Sequence, residues 1–294
     1  MYHGANLPII GEFADPVLLT ELAVEAEQAG WDGVFVWDTL LFDVTTMPPA
    51  LDPWAVLAVM ASRTTRVRIG PMTAQLARRP PWDVARQVVT LDRLSQGRLV
   101  LGAALGYSGE ADFAHFGLPA DPRTRAELLD ESLRVIAGLC TGEPFEHHGK
   151  HFTIERTVFQ PRPIQNQIPV WIGGYWPRKR PMRRAAQWHG AFPAPQVVPT
   201  ADGFAAVPFA PEDVREVRRY IDQHRASDEP FDLVISHQLP LDDPAKAAAE
   251  VDRYEQAGVT WLVRDWLPWE ISPDDVRTQI RRGPLGSGAA GQRV

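Results

Sequence analysis

Residues 65–109 read TRVRIGPMTAQLARRPPWDVARQVVTLDRLSQGRLVLGAALGYSG, and they predict a strand, a helix and a second strand in succession. A proline pair opens the helix, in which apolar residues recur at three- and four-residue steps from Val84 to Leu94. Gly97 ends the helix, and residues 99–104 form an apolar run that is typical of a strand buried on both faces. Two strands joined in this way run parallel, and the connection between them is right-handed.

The same strand-then-helix unit recurs along the chain. Eight such units occupy residues 1–282, and they predict one α/β domain, a (β/α)8 TIM barrel. Residues 142–167 alternate between apolar and polar and predict a small hairpin insertion after the fourth helix. An open, doubly wound sheet is the alternative, although the turn after the first strand lacks GxGxxG spacing. Residues 283–294 are rich in glycine, so we expect a disordered tail.

Charge and composition limit the classes of partner. The formal net charge of −7 disfavours nucleic acid and anionic membranes as partners. No apolar run approaches the about 18 residues of a membrane span, and no basic-then-apolar leader opens the chain, so we expect a cytoplasmic protein. The single cysteine, Cys140, excludes an internal disulfide framework, and its register with the apolar residues of a helix predicts a core position.

Polar residues follow several predicted strands, at the edge where barrels of this kind carry their chemistry. Asp38 and Thr39 follow the second strand, Tyr107 the fourth, His237 the seventh and Asp265 the eighth. We predict catalytic roles for the first four of these residues. A structural role stays open for each one: a helix cap for the Asp–Thr pair, packing for the tyrosine, and a hydrogen-bonded structural histidine.

Three further groups have both a structural and a functional interpretation. His147, His148 and His151 have a spacing that could hold a metal, but a polar hairpin without an obvious fourth ligand favours a solvated turn, so we predict no metal site. Arg79 could bind an anion or lie in a solvated loop. Large aromatic residues usually belong to the core, but some could line an apolar substrate site, and the candidates are Trp176, Trp188, Trp261, Trp266 and Trp269.

Several segments resemble the luciferase-like monooxygenase family. The central one is TLDRLSQGRLVLGAALG, and the likeness extends through AEQAGWDGVFVWD, LLDESLRVIAGLCTGEPFEHHGKHFTI, QPRPIQNQIPVWIGG and RRAAQWHGAF. It covers residues 2–200 in matching order, and the last third resembles the family mainly in its pattern of elements. The resemblance implies a TIM barrel that uses reduced flavin mononucleotide (FMN) or the deazaflavin coenzyme F420 to oxidise or reduce a small organic substrate. It also implies a homodimer. Because the chain has no internal Rossmann fingerprint, we expect nicotinamide to be used by a separate flavin reductase.

The resemblance further implies a cofactor pocket on the ends of strands two to five. The family's non-prolyl cis peptide would fall at Met72–Thr73, and residues 105–107 would lie beside the cofactor tail. Gly173 and Gly174 would let the backbone approach the ribityl chain and phosphate, near the start of the next helix, where two basic residues match the charge. The full set that we predict for the cofactor is Thr39, Met72, Thr73, Gln75, Leu105, Gly106, Tyr107, Gly173, Gly174, Trp176, Arg178 and Lys179.

Three positions depart from the family pattern. Many relatives carry histidine at the position of Thr39, and a threonine cannot act as a base near neutral pH. Deazaflavin sugar-phosphate dehydrogenases place an acid at the position of Tyr107, and luciferase has arginine at that of Leu105. The residues therefore leave open the choice of cofactor and the use of dioxygen. They also leave open a non-catalytic flavin-binding barrel and, more remotely, an unrelated barrel enzyme such as a metal-dependent hydrolase.

Overall fold

The computed structural model describes residues 1–106, 109–194, 197–200, 203–206, 209–240 and 242–285. Tyr107 and residues 286–294 of the expected tail lie outside these ranges. The strands in the described ranges are β1 (Tyr2–Leu7), β2 (Gly33–Val36), β3 (Arg68–Pro71), β4 (Ala74–Gln75), β5 (Leu101–Ala104), β6 (Phe145–His148), β7 (Thr153–Thr157), β8 (Val170–Tyr175), β9 (Gly190–Ala194), β10 (Val197–Thr200), β11 (Gly203–Ala206), β12 (Asp232–Ser236) and β13 (Trp261–Asp265). The helices are α1 (Pro16–Gln28), α2 (Pro53–Arg63), α3 (Pro81–Leu94), α4 (Pro122–Cys140), α5 (Lys179–Ala185), α6 (Pro211–Asp222), α7 (Pro244–Gln256) and α8 (Pro273–Arg281).

The main sheet is parallel and curls into the predicted barrel. Its strand order is β3-β2-β1-β13-β12-β9-β8-β5-β4. β3 and β4 are successive pieces of one barrel strand. A parallel bridge between Ile69 and Leu99 joins β3 to the residues that directly precede β5. The sheet thus has eight barrel positions, alternating with the helices, and this confirms the predicted TIM barrel.

Aspartate–proline pairs start four of the helices. Asp15, Asp52, Asp121 and Asp243 each accept a hydrogen bond from a backbone N–H in the first turn, and proline occupies the position that follows. Each such cap contributes about 1 kcal/mol of helix stability. The chain marks these helix starts locally, so they could be predicted from the sequence.

Two antiparallel hairpins stand outside the barrel sheet. β6 pairs with β7, in the segment between α4 and β8 where the sequence predicts a hairpin. His147 and His151 of this segment are bonded to Glu131 and Glu127 of α4 at 3.0 and 3.1 Å. Among the described residues, no group of three or more His, Cys, Asp or Glu side chains is arranged to hold a metal ion. The second hairpin, β10 with β11, was not predicted from the sequence.

The barrel interior is filled below its carboxyl edge. Phe35, Trp171 and Trp261 pack there with ring centroids 5.3–5.9 Å apart. The remaining members of this interior cluster are Met72, Val100, Val234 and Val263. A larger apolar core lies between the strands and the helices. No helix in the described part of the chain has the length and apolar character that crossing a bilayer requires.

Candidate active site

The carboxyl ends of the barrel strands form a mouth above the interior cluster. Because side chains alternate along a strand, the residues two positions beyond the interior cluster also point inward. Gly173 confirms this orientation for β8, because a Cβ there would lie 3.0 Å from Thr73 Cγ2 and 3.2 Å from Ala104 Cβ. This rule places Trp37, Gly173, Ser236 and Asp265 in the mouth. Asn6 joins them through its hydrogen bond to Asp265, and Thr73 and Ala104 through their contact with the Gly173 position.

Asp38 lies behind the mouth and joins two strand ends. Its side chain is fully buried and forms ion pairs with Arg78 and, at 3.2 Å, with Arg79. It also accepts a hydrogen bond from the backbone N–H of Gln75 at 2.9 Å. With its carboxylate engaged by two guanidinium groups, Asp38 is placed to position the neighbouring residues. The anion that Arg79 binds is therefore a side chain of the same protein.

Thr39 is held by a residue that sequence reasoning missed, Asp112. The Thr39 hydroxyl donates to Asp112 Oδ1 at 3.1 Å, and the backbone N–H groups of Leu40 and Leu41 donate to the same atom at 2.6 and 3.2 Å. Asp112 is 2% exposed. Because the hydroxyl hydrogen is committed to this carboxylate, Thr39 presents acceptor lone pairs to any ligand. A lone aspartate in a loop carries no local signal of such a role.

Gln75 connects both acidic residues to the end of β5. Its side-chain amide donates to the backbone oxygen of Asp38 at 2.8 Å and to Asp112 Oδ2 at 2.7 Å. Gly106 lies against it with φ +90°, and a Cβ at this glycine would approach Gln75 Oε1 to 2.3 Å. Only glycine fits at this turn. The carbonyl oxygen of Leu105 accepts from Arg125 Nη1 at 3.0 Å.

The predicted cis peptide and the two predicted glycines lie on neighbouring strands. The Met72–Thr73 bond is cis, as the resemblance implied. Gly173 faces Thr73 in the mouth, whereas Gly174 faces outward, and a Cβ at Gly174 would lie 2.3 Å from Pro181 Cβ. Close packing of α5 on β8 is therefore sufficient to require a glycine at position 174.

The two predicted basic residues after β8 contact different aromatic rings. The guanidinium carbon of Arg178 lies 5.7 Å from the ring centroid of Tyr175. Tyr175 is two residues after Gly173 in β8, so it lies on the same, inward face of the strand. Lys179 Nζ lies 3.6 Å from the ring centroid of Trp176, a buried side chain on the opposite, outward face. The structure thus brings Arg178 nearer to the mouth than Lys179.

His237 faces away from the mouth. Its Nε2 is 2.7 Å from Glu250 Oε2 of α7, and its Nδ1 is 3.4 Å from the hydroxyl of Tyr254. Its neighbour Ser236 lies two residues after Val234 of the interior cluster and therefore points into the mouth. These contacts are those of a residue that holds α7 against β12, and we assign His237 no contact with substrate.

Asp265 lies inside the mouth, beside Asn6, Ser236 and Trp37. Burial raises the pKa of its carboxyl, and this effect outweighs the hydrogen bonds from these three neighbours, which lower it. Near this cluster, three aromatic rings lie within 6.4 Å of one another, and they belong to Trp37, Phe42 and Trp269. Trp269 is 57% exposed, whereas Trp176, Trp261 and Trp266 are buried and Trp188 is partly buried against the core.

Comparisons with known proteins give one consistent picture. The model of the luciferase-like monooxygenase family matches residues 14–284. An uncharacterized protein of Mycobacterium tuberculosis is 27% identical over 283 residues, which cover 88% of this chain and 90% of that protein. The F420-dependent glucose-6-phosphate dehydrogenase of Nakamurella multipartita is 32% identical over 166 residues, 55% of this chain and 48% of that enzyme.

Solved structures share the fold. An F420-dependent secondary alcohol dehydrogenase, in complex with an F420–acetone adduct, superposes with a TM-score of 0.75 at 15% identity, over 95% of this chain and 96% of that one. The oxygenating constituent of 3,6-diketocamphane monooxygenase from Pseudomonas putida, in complex with FMN, gives 0.73 at 14% identity, over 96% of each chain. At these identities the likeness establishes the barrel architecture alone.

Proposed function

This chain belongs to the luciferase-like monooxygenase family and is an oxidoreductase of that class, and we propose that it binds coenzyme F420 at the mouth of its barrel to oxidise or reduce a small organic substrate. The observation that carries the choice of F420 is the 32% identity over 166 residues to an F420-dependent glucose-6-phosphate dehydrogenase. FMN is the second candidate.

The residues of the mouth fit a planar cofactor. Thr73, Ala104 and Gly173 form a floor of small side chains, and even one additional Cβ at Gly173 would crowd it. Gln75 Oε1 is buried and has no hydrogen-bond partner among the described residues, so it can accept from a polar edge of a bound ring. Arg178 lies on the side where an anionic tail would pass.

F420, when bound, supplies two-electron hydride chemistry, whereas FMN also permits reaction with dioxygen. The task of the chain is to hold the cofactor and substrate and to exclude water. Asp112 fixes the loop that carries Thr39, and Asp38 fixes the loop that carries Gln75. Both loops border the proposed floor, so their rigidity would set the position of the ring.

A fluorescence titration tests the cofactor. We expect oxidised F420 to bind the purified protein at least about tenfold more tightly than FMN, a difference of about 1.4 kcal/mol. Tighter binding of FMN would instead place the protein in the flavin branch, where a separate flavin reductase is the expected partner. If neither compound binds, the non-catalytic barrel becomes the better account.

A homodimer and a cytoplasmic location are further proposals. Val59 of α2 and Trp82 and Leu94 of α3 are apolar side chains with 40–45% exposure, and they support pairing through helices of the first half of the chain. Sedimentation equilibrium is expected to give the mass of two chains. The mass of one chain at micromolar concentration would contradict the dimer.

A further inference from the structure

A small polar cluster lies at the centre of the mouth, directly above the apolar interior. Asn6 of β1 is in register with Asp265 of β13, and Asn6 Nδ2 donates to Asp265 Oδ1. The hydroxyl of Ser236 and the indole of Trp37 also lie beside this carboxyl and lower its pKa. Val263, two residues before Asp265, belongs to the interior cluster. The carboxyl therefore points into the barrel.

The groups that face the carboxyl of Asp265 in the described structure are uncharged: an amide, a hydroxyl and an indole. With no counter-ion, burial disfavours the carboxylate and raises the pKa. The neutral carboxyl therefore persists to higher pH than an ordinary aspartate does. A neutral carboxyl carries an O–H donor, which a carboxylate lacks.

One atom of the cluster lacks a partner. Asn6 is 2% exposed, and its Oδ1 has no hydrogen bond within the described part of the structure. Leaving such an acceptor unpaired is costly, so the cluster favours a ligand that donates a hydrogen to it. Asp265, by contrast, keeps part of its surface accessible. The carboxyl of Asp265 and the unpaired oxygen of Asn6 therefore lie side by side in the mouth.

An aromatic wall stands beside these two polar groups. Trp37, which bonds to Asp265, lies 6.3 Å from Phe42 and 6.4 Å from Trp269 between ring centroids. The ring of Trp269 is largely exposed. Aromatic walls with a few placed polar groups are typical of sites for small, mostly apolar molecules.

We infer that Asp265 and Asn6 bind the oxygen atom of the substrate, and that the rings of Trp37, Phe42 and Trp269 bind its apolar part. In its neutral form Asp265 would donate to a carbonyl oxygen, and Asn6 Oδ1 would accept from a hydroxyl. The substrate class is therefore an uncharged, largely apolar alcohol or carbonyl compound. This inference rests on the proposed function, because it assigns the substrate site within the same mouth.

Acetophenone is a suitable probe, with benzoate as the anionic compound of similar size. Quenching of tryptophan fluorescence would report binding, both to the protein alone and in the presence of oxidised F420. We expect acetophenone to bind more tightly than benzoate by at least about tenfold. The affinity for acetophenone should be constant at low pH and fall as pH rises through the raised pKa of Asp265. Equal affinity for the two probes would overturn the inference.

Two substitutions separate a binding role from a structural one. Asp265→Leu removes the donor, and acetophenone affinity should fall about 10- to 100-fold. Asp265→Asn keeps a neutral donor, so it should retain affinity within about threefold at low pH and lose the pH dependence. Wild-type affinity in Asp265→Leu, or an unchanged pH profile in Asp265→Asn, would contradict the assignment.

Asp232 provides a matched control inside the same barrel. Burial also raises its pKa, but it lies at the opposite end of β12, where Trp171 Nε1 and Thr260 Oγ1 donate to it at 3.0 Å each. Asp232→Asn should leave acetophenone binding unchanged. F420 binding, measured on the same samples, should be unaffected by the Asp265 variants. Failure of F420 to bind even the wild type would refute the cofactor proposal, while the acetophenone titrations would still decide the role of Asp265.

Discussion

Replacing Asp38 with alanine is expected to lower the free energy of unfolding by about 3–5 kcal/mol, because removing one partner of a buried ion pair leaves the other charge unpaired. The Asp38 side chain is 0% exposed, and those of Arg78 and Arg79 are 4% and 17% exposed. The truncation would leave two guanidinium groups facing a cavity. The backbone N–H of Gln75 would also lose its acceptor. Urea denaturation of both proteins measures the difference.

Two control substitutions make this result specific. Asp38→Asn keeps the shape and one acceptor but removes the charge, so it should destabilise the protein less than alanine does. Glu21→Ala breaks an ion pair with Arg277 in which the glutamate is 53% exposed, and its effect should stay within about 1 kcal/mol. If Asp38→Ala is as mild as Glu21→Ala, the Asp38 pair does not hold the two strand ends together.

The barrel itself could be predicted because its signals are local. Helix starts are marked by aspartate–proline pairs such as Asp52–Pro53, and helix ends by glycine, so each unit can be recognised from a few neighbouring residues. The hairpin of β10 and β11 was missed because residues 197–206, VVPTADGFAA, mix proline, glycine and alanine, which have low strand propensity.

The orientation of residues at the strand ends could not be predicted from the sequence. Strands buried on both faces show no alternation of apolar and polar residues, so the chain does not indicate which residue points into the barrel. Sequence reasoning therefore named His237 without considering Ser236, and it treated Gly173 and Gly174 alike. In the structure, Val234 and Trp171 point into the barrel interior. Ser236 and Gly173, each two residues further along, therefore point inward, whereas His237 and Gly174 point outward.

Contacts between loops that are distant along the chain could not be predicted from the sequence either. Asp112 bonds to Thr39 and Gln75, which are 73 and 37 residues away along the chain. No spacing rule connects these positions, because each lies in an irregular segment whose path depends on the assembled barrel. The cis peptide at Met72–Thr73 could be anticipated only through the resemblance to a family.

Gly173→Leu is expected to weaken F420 binding at least about 100-fold, or about 2.7 kcal/mol, because the new side chain would occupy the proposed floor of the cofactor site. A Cβ at this position would already lie 3.0 Å from Thr73 Cγ2, so the rest of a leucine must extend into the mouth. The titration that tests the proposed function measures the loss.

Gly174→Ala is the adjacent comparison, and it should behave differently. Its Cβ would lie 2.3 Å from Pro181 Cβ, so α5 must shift, and overpacking of this kind costs about 1–3 kcal/mol of stability. We therefore expect position 173 to affect mainly affinity and position 174 mainly unfolding. Wild-type F420 affinity in Gly173→Leu would show that the ring does not lie on this floor. A loss of affinity in Gly174→Ala at unchanged stability would return position 174 to the cofactor site, because packing alone would then not account for its glycine.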